Sequence, residues 1–301
     1  MLRDVLALGW SPAKVRAAVS AGRLARPHRG VLTTPDWAAP TARSALLVVA
    51  PTAAISHESA ALEHGLWLPR TPGPLHHVTV RGAADRVEHG VRVHGSRLPE
   101  DFVEDRGGAR ITTIARTAMD CARGRSLPDT LIVLDSAARL LAQRTLDVDA
   151  SALRAPEVRE AGREPVVAEL WQAFESVRAW PGSIVVRTAI PLVDLASESP
   201  MESRSRGWFL EASLPAPLTG YSVTGASGAA YWADFAWPDR RVLGEVDGTG
   251  KYGSDESTVR SRLRQERRRQ RDLEDAGWRV VRWESVERRR TVVARVGRAL
   301  L

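Results

Sequence analysis

The spacing of apolar positions changes several times along the chain, and each change predicts an element. In residues 2–35, LRDVLALG places Leu2, Val5 and Leu6 on one side of a short helix. Ser11 and Pro12 then form a cap and first turn for PAKVRAAVSAG, which Gly22 closes. RLARPHRGVLTT predicts two short strands around Pro27-His28-Arg29-Gly30. Helix, turn, helix and hairpin is the order of a winged helix-turn-helix, whose second helix would offer Lys14, Arg16 and Arg23 to DNA. A helical hairpin with a solvated basic face fits the same local signals. Residues 1–38 form the first predicted unit.

Residues 41–150 mix an apolar run (ALLVVA), a helix at SHESAALEHGL, strands at HHVTVRG and GVRVHGSRL, and helices at TTIARTAMDCARG and LPDTLIVLDSAARLLAQ. Residues 151–196 read as a connector, helical over EPVVAELWQAFESVRAW and strand-like over SIVVRTAIPLVDL. From 197 to 301 the order is a helix (ESRSRGWFLEA), a Pro- and Gly-rich loop, and a strand (GYSVTG). Two further strands (YWADFAW and RVLGEVDG), a long Arg-rich helix ending at Gly277, a strand (WRVVRW) and a basic terminal helix follow. The expected class is an α/β multidomain protein.

Three carboxylates interrupt the apolar strands. Alternation sets Trp232, Asp234 and Ala236 on one face against Tyr231, Ala233 and Phe235, and groups Leu243, Glu245 and Asp247. A turn over residues 238–241 would pair Trp237 with Val242 and bring Asp234 opposite Glu245. Like charges so placed destabilise a sheet, and a divalent cation resolves the conflict. Mg²⁺ suits one or two carboxylates completed by water and substrate phosphate. Asp247, next to Gly248, also reads as a strand end reaching solvent. Glu202 reads two ways, as a further acidic ligand or as the distal half of a capping box with Ser199.

Composition narrows the setting. No apolar run reaches membrane-spanning length, and MLRDVLALGW turns polar too soon for a signal peptide, which points to a cytoplasmic protein without a membrane role. One cysteine, Cys121, excludes internal disulfides and thiolate zinc sites. His57 and His64, seven apart beside Glu58, lack the four-residue spacing of a helical zinc pair. Residues 201–301 hold 18 Arg and one Lys against 14 acidic residues, and so carry +5 of the net charge of +7. Positive charge therefore gathers beside the carboxylates, with Arg260, Arg264, Arg267, Arg268 and Arg271 as a candidate phosphate track. Lys14 and Lys251 are the only lysines, and Lys251 follows the acidic strand.

The segments ESPMES, WADFAWPDRRVLGEVDG and RDLEDAGWRVVRW resemble the very-short-patch-repair-like branch of the PD-(D/E)XK nuclease superfamily. That resemblance covers about residues 197–285. It implies a restriction-endonuclease-like fold and a Mg²⁺-dependent (or Mn²⁺-dependent) phosphodiesterase core. Asp234 and Glu245 would be metal ligands and Glu202 the helical acid. Asp247 stands where many members carry lysine, which would pass the cationic role to Lys251 or an arginine. The tail contains no histidine, so a histidine base does not carry over.

At the front, SPAKVRAAVSAGRLARPHRGV, SHESAALEHGL and TTIARTAMDCA resemble the antitoxin family of abortive-infection toxin–antitoxin systems. This implies an abbreviated winged helix over residues 1–38 and an α/β domain over 41–150, with DNA, a cognate toxin or a second copy of the chain as partners. Two functions are therefore expected. One is a DNA-binding, metal-dependent endonuclease. The other is a non-catalytic antitoxin-type regulator whose nuclease-like tail only dimerises or clamps DNA.

Overall fold

The computed structural model describes residues 2–26, 30–35, 41–50, 52–88, 90–247 and 256–301, with the backbone alone at 3, 4, 44, 47, 48 and 256–263. Contacts divide the chain into two compact units, residues 1–123 with 169–183, and residues 124–168 with 184–301. The division falls inside the segment 41–150.

In the first unit, α1 (Leu2–Ala7) precedes α2 (Pro12–Ser20), which starts at Ser11, whose hydroxyl accepts the Lys14 N–H at 3.2 Å. Val15 and Ala18 bury the inner face of α2, and Lys14, Arg16 and Arg23 are exposed. Among the described residues, the expected hairpin after α2 is a single rung, Ala25 with Thr33, bonded both ways at 2.9 and 3.0 Å. RLARPHRGVLTT has too few alternating apolar positions to extend that rung into a ladder. Its turn at 27–29 lies outside the described residues.

ALLVVA belongs to a helix, α3 (Ala42–Val49). Then follow β1 (Ala54–Ile55), α4 (His57–His64), β2 (His76–Thr79), β3 (Arg86–Glu88), β4 (Val91–His94), β5 (Val103–Asp105), β6 (Arg110–Thr112) and α5 (Ile114–Ala122). The strands form a mixed sheet in the order β3-β4-β2-β1-β6-β5, with β2–β4 and β1–β6 parallel. Val78, Val80, Val91 and Val93 pack with Ala45 of α3, and Ile55 and Ile111 with Ala60 of α4. Every residue of α5 is buried, including Arg116 and Asp120, which pair one turn apart at 3.1 Å.

The second unit begins with α6 (Leu127–Leu146), whose Ser126 cap accepts the Asp129 N–H. α7 (Pro156–Glu175) lends its end, from Glu169, to the first unit. SIVVRTAIPLVDL, expected as a strand, is helix α8 (Ser183–Ala189) followed by a 3₁₀ turn over Ile190–Leu192. Its buried apolar residues, Val186, Ala189, Ile190 and Val193, fall at helical spacing, and this outweighs the β-branched composition.

After α8 come α9 (Pro200–Glu211), β7 (Leu218–Thr224), β8 (Ala230–Trp237), β9 (Val242–Asp247), α10 (Glu256–Asp275), β10 (Arg279–Glu284) and α11 (Arg289–Leu300). The sheet order is β10-β9-β8-β7, parallel only between β10 and β9. One face packs Phe235, Trp237, Val242, Val246 and Trp283 against Phe209 of α9 and Val292 and Val296 of α11. The other packs Val223, Ala233, Ala236 and Leu243 against Leu273 of α10 and Trp278. The result is a helix–sheet–helix sandwich whose core holds Phe209 edge-on to Phe235 and Trp283, with ring centroids 5.5 and 5.6 Å apart. Gly244 makes room for it, since a Cβ there would lie 2.9 Å from the Trp283 ring. α6 and α9 meet as closely at Gly207, whose Cβ would lie 2.5 Å from Pro128 Cα.

Candidate functional site

The site lies where β8, β9 and the start of α9 converge. Trp237 pairs with Val242, Ala236 with Leu243 and Phe235 with Gly244, the register read from the turn length. Its next step would set Asp234 opposite Glu245, but the ladder ends at Phe235. Asp234 Oδ2 accepts the Val246 N–H at 2.7 Å instead, so a side-chain oxygen replaces a strand carbonyl.

The alternation expected for YWADFAW breaks at this residue. Tyr231 and Ala233 pack in the α10-side cluster, whereas Phe235 and Trp237 pack on the opposite face. On β7, the rung between Thr219–Phe235 and Tyr221–Ala233 is missing, and Gly220 there has φ +50°. A glycine tolerates that left-handed turn, which lets both strands switch faces without losing register.

Glu202 joins this point from α9. Only half of the expected capping box forms: the Glu202 backbone N–H donates to Ser199 Oγ at 3.2 Å, but Glu202 Oε2 accepts the N–H of Glu198, one residue before the cap, at 2.7 Å. The side chain is buried, and its pKa is pushed up to about 8 by loss of solvent and then by the negative charge of Asp234. Two carboxylates from elements far apart in sequence thus act on each other directly.

Glu245 is buried on the α10 side of β9 and faces two arginines. Arg282 lies level with it on β10 and places Nη2 2.8 Å from Oε2. Arg269 of α10 brings Nη2 to 2.5 Å from Oε1 and donates from the same nitrogen to Trp232 O at 2.7 Å. Glu266 closes the network by accepting from Arg282 and pairing with Arg269 at 3.3 Å. The network draws the Glu266 carboxyl below its ordinary range despite partial burial, and raises Arg269.

Asp247 is half-buried at the end of β9, where its carbonyl accepts the Ser285 N–H at 3.2 Å. Lys251 and the side chain of Arg260 lie outside the described residues, as do those of Val259 and Leu263, expected in the apolar stripe of α10. Arg264, Arg267, Arg268 and Arg271 are exposed and fall at helical spacing on one face of α10. The 3.6-residue period puts that face opposite the one carrying Arg269 and Leu273. The exposed stripe therefore points away from Glu245. Among the described residues no three His, Cys, Asp or Glu side chains gather closely enough to hold a metal.

Arg269, Arg282 and Glu266 were not singled out in the sequence. Arg282 was within reach of the pattern, because pairing β10 in parallel with β9 puts it beside Glu245. Arg269 was hidden in a run of arginines whose inner member only the fold identifies. Asp272 of α10 is likewise structural, accepting from Ser227 N at 2.7 Å, Ser227 Oγ at 2.8 Å and Tyr231 Oη at 2.9 Å.

No family model matches the chain, and no solved structure matches it. An uncharacterized protein of Mycobacterium tuberculosis, in strains CDC 1551 / Oshkosh and H37Rv, is 28% identical over 208 residues. The match covers 68% of this chain and 65% of the relative, so the chain spans just under two thirds of that relative's length. Among the described residues no helix is long and apolar enough to cross a membrane.

Proposed function

We propose that this is a DNA-binding protein whose second unit hydrolyses phosphodiester bonds with a divalent cation, Mg²⁺ or Mn²⁺. The observation that carries the reading is the meeting of Glu202 and Asp234. Burial and the neighbouring Asp234 charge raise the Glu202 carboxyl, and a divalent cation held by both carboxylates would offset their repulsion. The element order supports it, as α9, β7, β8, β9, α10 and β10 follow the arrangement that the nuclease resemblance implies. Asp234 and Glu202 would hold the ion, and Glu245 and Asp247 would join on release from their present surroundings.

When bound, such an ion lowers the pKa of a water and offsets charge on the scissile phosphate. The chain's own part is to fix the carboxylates. The Val246 N–H orients Asp234, and the α9 cap orients Glu202. Lys251 or Arg269 would supply the further cation beside the phosphate. On the first unit, Lys14, Arg16 and Arg23, exposed on and beside α2, would engage DNA phosphates.

The second reading is a non-catalytic, antitoxin-type regulator, with DNA, a toxin or a second copy of the chain as partner. Two observations favour it: the double arginine pairing of Glu245, and an arginine stripe that faces away from the carboxylates. Incubation with supercoiled plasmid in Mg²⁺ or Mn²⁺ separates the two. Nicking lost in both Asp234→Ala and Glu245→Ala supports hydrolysis. Retarded plasmid without nicking, under either ion, supports the regulator.

A further inference from the structure

The first unit carries a cluster of histidines that the carboxylate site does not use. His57 opens α4 with φ +50°, a left-handed conformation that a non-glycine residue adopts at a cost of about 1–3 kcal/mol. Its ring stacks on His94, with centroids 3.6 Å apart and planes at 10°. His94 Nε2 lies 3.0 Å from His77 Nδ1, and His57 Nδ1 lies 3.0 Å from Ser56 Oγ. Stacked in this way the imidazoles do not converge on one point. Each of His57 and His94 has committed one ring nitrogen and keeps the other.

These two rings form part of the wall of a cavity of about 340 Å³, together with Ser96, Arg97, Arg123 and Trp180. The volume is at the low end of small-molecule sites, which run from about 300 to 1,000 Å³. Its polar lining is unsatisfied. Ser96 Oγ and Arg123 Nε are both buried and have no hydrogen-bond partner among the described residues. Buried donors rarely stay unpaired without a functional reason.

Arg123 is held in place rather than neutralised. It donates to Pro181 O at 3.1 Å and lies 4.7 Å from the centre of the Trp180 ring, against which Arg116 also packs at 5.0 Å. One carboxylate, Asp85, also lines the cavity, and its Oδ1 accepts the Gly95 N–H at 2.6 Å. Asp120, 4.0 Å from His57 Nδ1, takes Arg116 Nε on both oxygens. With Arg97 and Arg123 against the one lining carboxylate, the cavity keeps a positive balance and spare donors.

We propose that this recess binds the phosphate group of a small phosphorylated molecule. Arg97 and Arg123 form the cationic clamp, Ser96 supplies a hydroxyl donor, and the free ring nitrogens of His57 and His94 complete the set. Two guanidinium groups with a hydroxyl and imidazole N–H groups exceed what a carboxylate's two oxygens use, and match a tetrahedral group with three. Burial, then neighbouring His and Arg charges, hold His57 well below its ordinary range and favour a neutral ring, whose one N–H is on Nε2 when Nδ1 accepts from Ser56 Oγ, itself an acceptor for Thr79 Oγ1. The volume leaves space for a body of about pentose size beyond the phosphate.

The test is isothermal titration of the full chain with inorganic phosphate and with ribose 5-phosphate, with free ribose as the control. Saturable binding of both phosphates and none of ribose is expected. Arg97 is exposed, so Arg97→Gln should leave the fold intact; loss of one charge-assisted contact should weaken binding about tenfold or more. Ser96→Ala should weaken it in the same direction. Arg187→Gln, at an exposed position of α8, should leave the affinity unchanged. Absence of saturable heat, an unaltered affinity in Arg97→Gln with a native circular dichroism spectrum, or loss of binding in Arg187→Gln would each overturn the proposal.

Discussion

Arg282 lies level with Glu245 on the adjacent parallel strand and holds its guanidinium 2.8 Å from the carboxylate, while Arg269 reaches the same group from α10. A mid-strand acid is thereby made compatible with burial without any ion, and β9, β10 and α10 are tied together. Glu245→Gln leaves Glu266 as the one carboxylate paired with two largely buried guanidinium groups. It should cost about 1.5–3 kcal/mol in urea unfolding, the range for hydrogen bonds to charged groups. Asp247→Asn, at the strand end, should stay within about 0.5 kcal/mol.

The aromatic core of the second unit depends on two glycines for clearance. At Gly244 an added methyl would meet Trp283 and Phe235, and at Gly207 it would meet the backbone of Pro128. Neither glycine is there for a left-handed turn, so an alanine is excluded by packing alone. Gly207→Ala and Gly244→Ala should each destabilise by about 1–3 kcal/mol, the range for overpacking, and thermal denaturation reads both. An unchanged melting temperature in Gly207→Ala would mean that α6 and α9 are less closely packed than described.

The Ser199 cap at α9 gives a smaller, separable effect. Ser199→Ala removes the acceptor for the Glu202 N–H and should cost about 1 kcal/mol, as N-cap losses do. Because the same turn carries Glu202, the variant should also weaken metal binding without removing a ligand. Chemical denaturation and metal titration on one preparation check both effects.

Acidification should act on the first unit through its histidines. Burial, then the charges of His57 and His77, take His94 down to about 3, and His57 and His77 shift in the same direction. Between the ordinary histidine value of about 6.5 and that lowered value, the unfolded chain binds more protons than the folded one. Stability is therefore full above about pH 6.5 and falls as pH drops through this window. Melting curves from pH 7.5 to 5 should show a smaller decline for His94→Asn than for the wild type.

Much of this architecture is legible in the sequence where one signal dominates. Ser11-Pro12, Ser199 with Glu202, and Gly277 mark helix ends through local chemistry, and each appears where expected. The β8–β9 register follows from turn length alone. What fails is set by tertiary contacts. SIVVRTAIPLVDL becomes helical because its buried positions recur at three and four residues. Strand alternation in YWADFAW is interrupted because Asp234 serves the backbone of β9. Of the candidate site, the carboxylates were readable as residues out of place in strands. Their partners were not, since Arg269 looks like any other arginine in RQERRRQR until the sheet selects it.

If Asp234 and Glu202 are held together to take a divalent cation, a manganese titration followed by electron paramagnetic resonance reads that binding without any need for turnover. Asp234→Asn keeps an acceptor for the Val246 N–H, and Glu202→Gln keeps an acceptor for the Glu198 N–H, so the first removes a charge and the second an ionisable carboxyl while both spare the fold. At neutral pH the wild type should deplete the free-ion signal in proportion to the protein added, and each variant should leave it as in buffer. A wild type that leaves the free-ion signal intact, or variants that deplete it equally, would contradict the account.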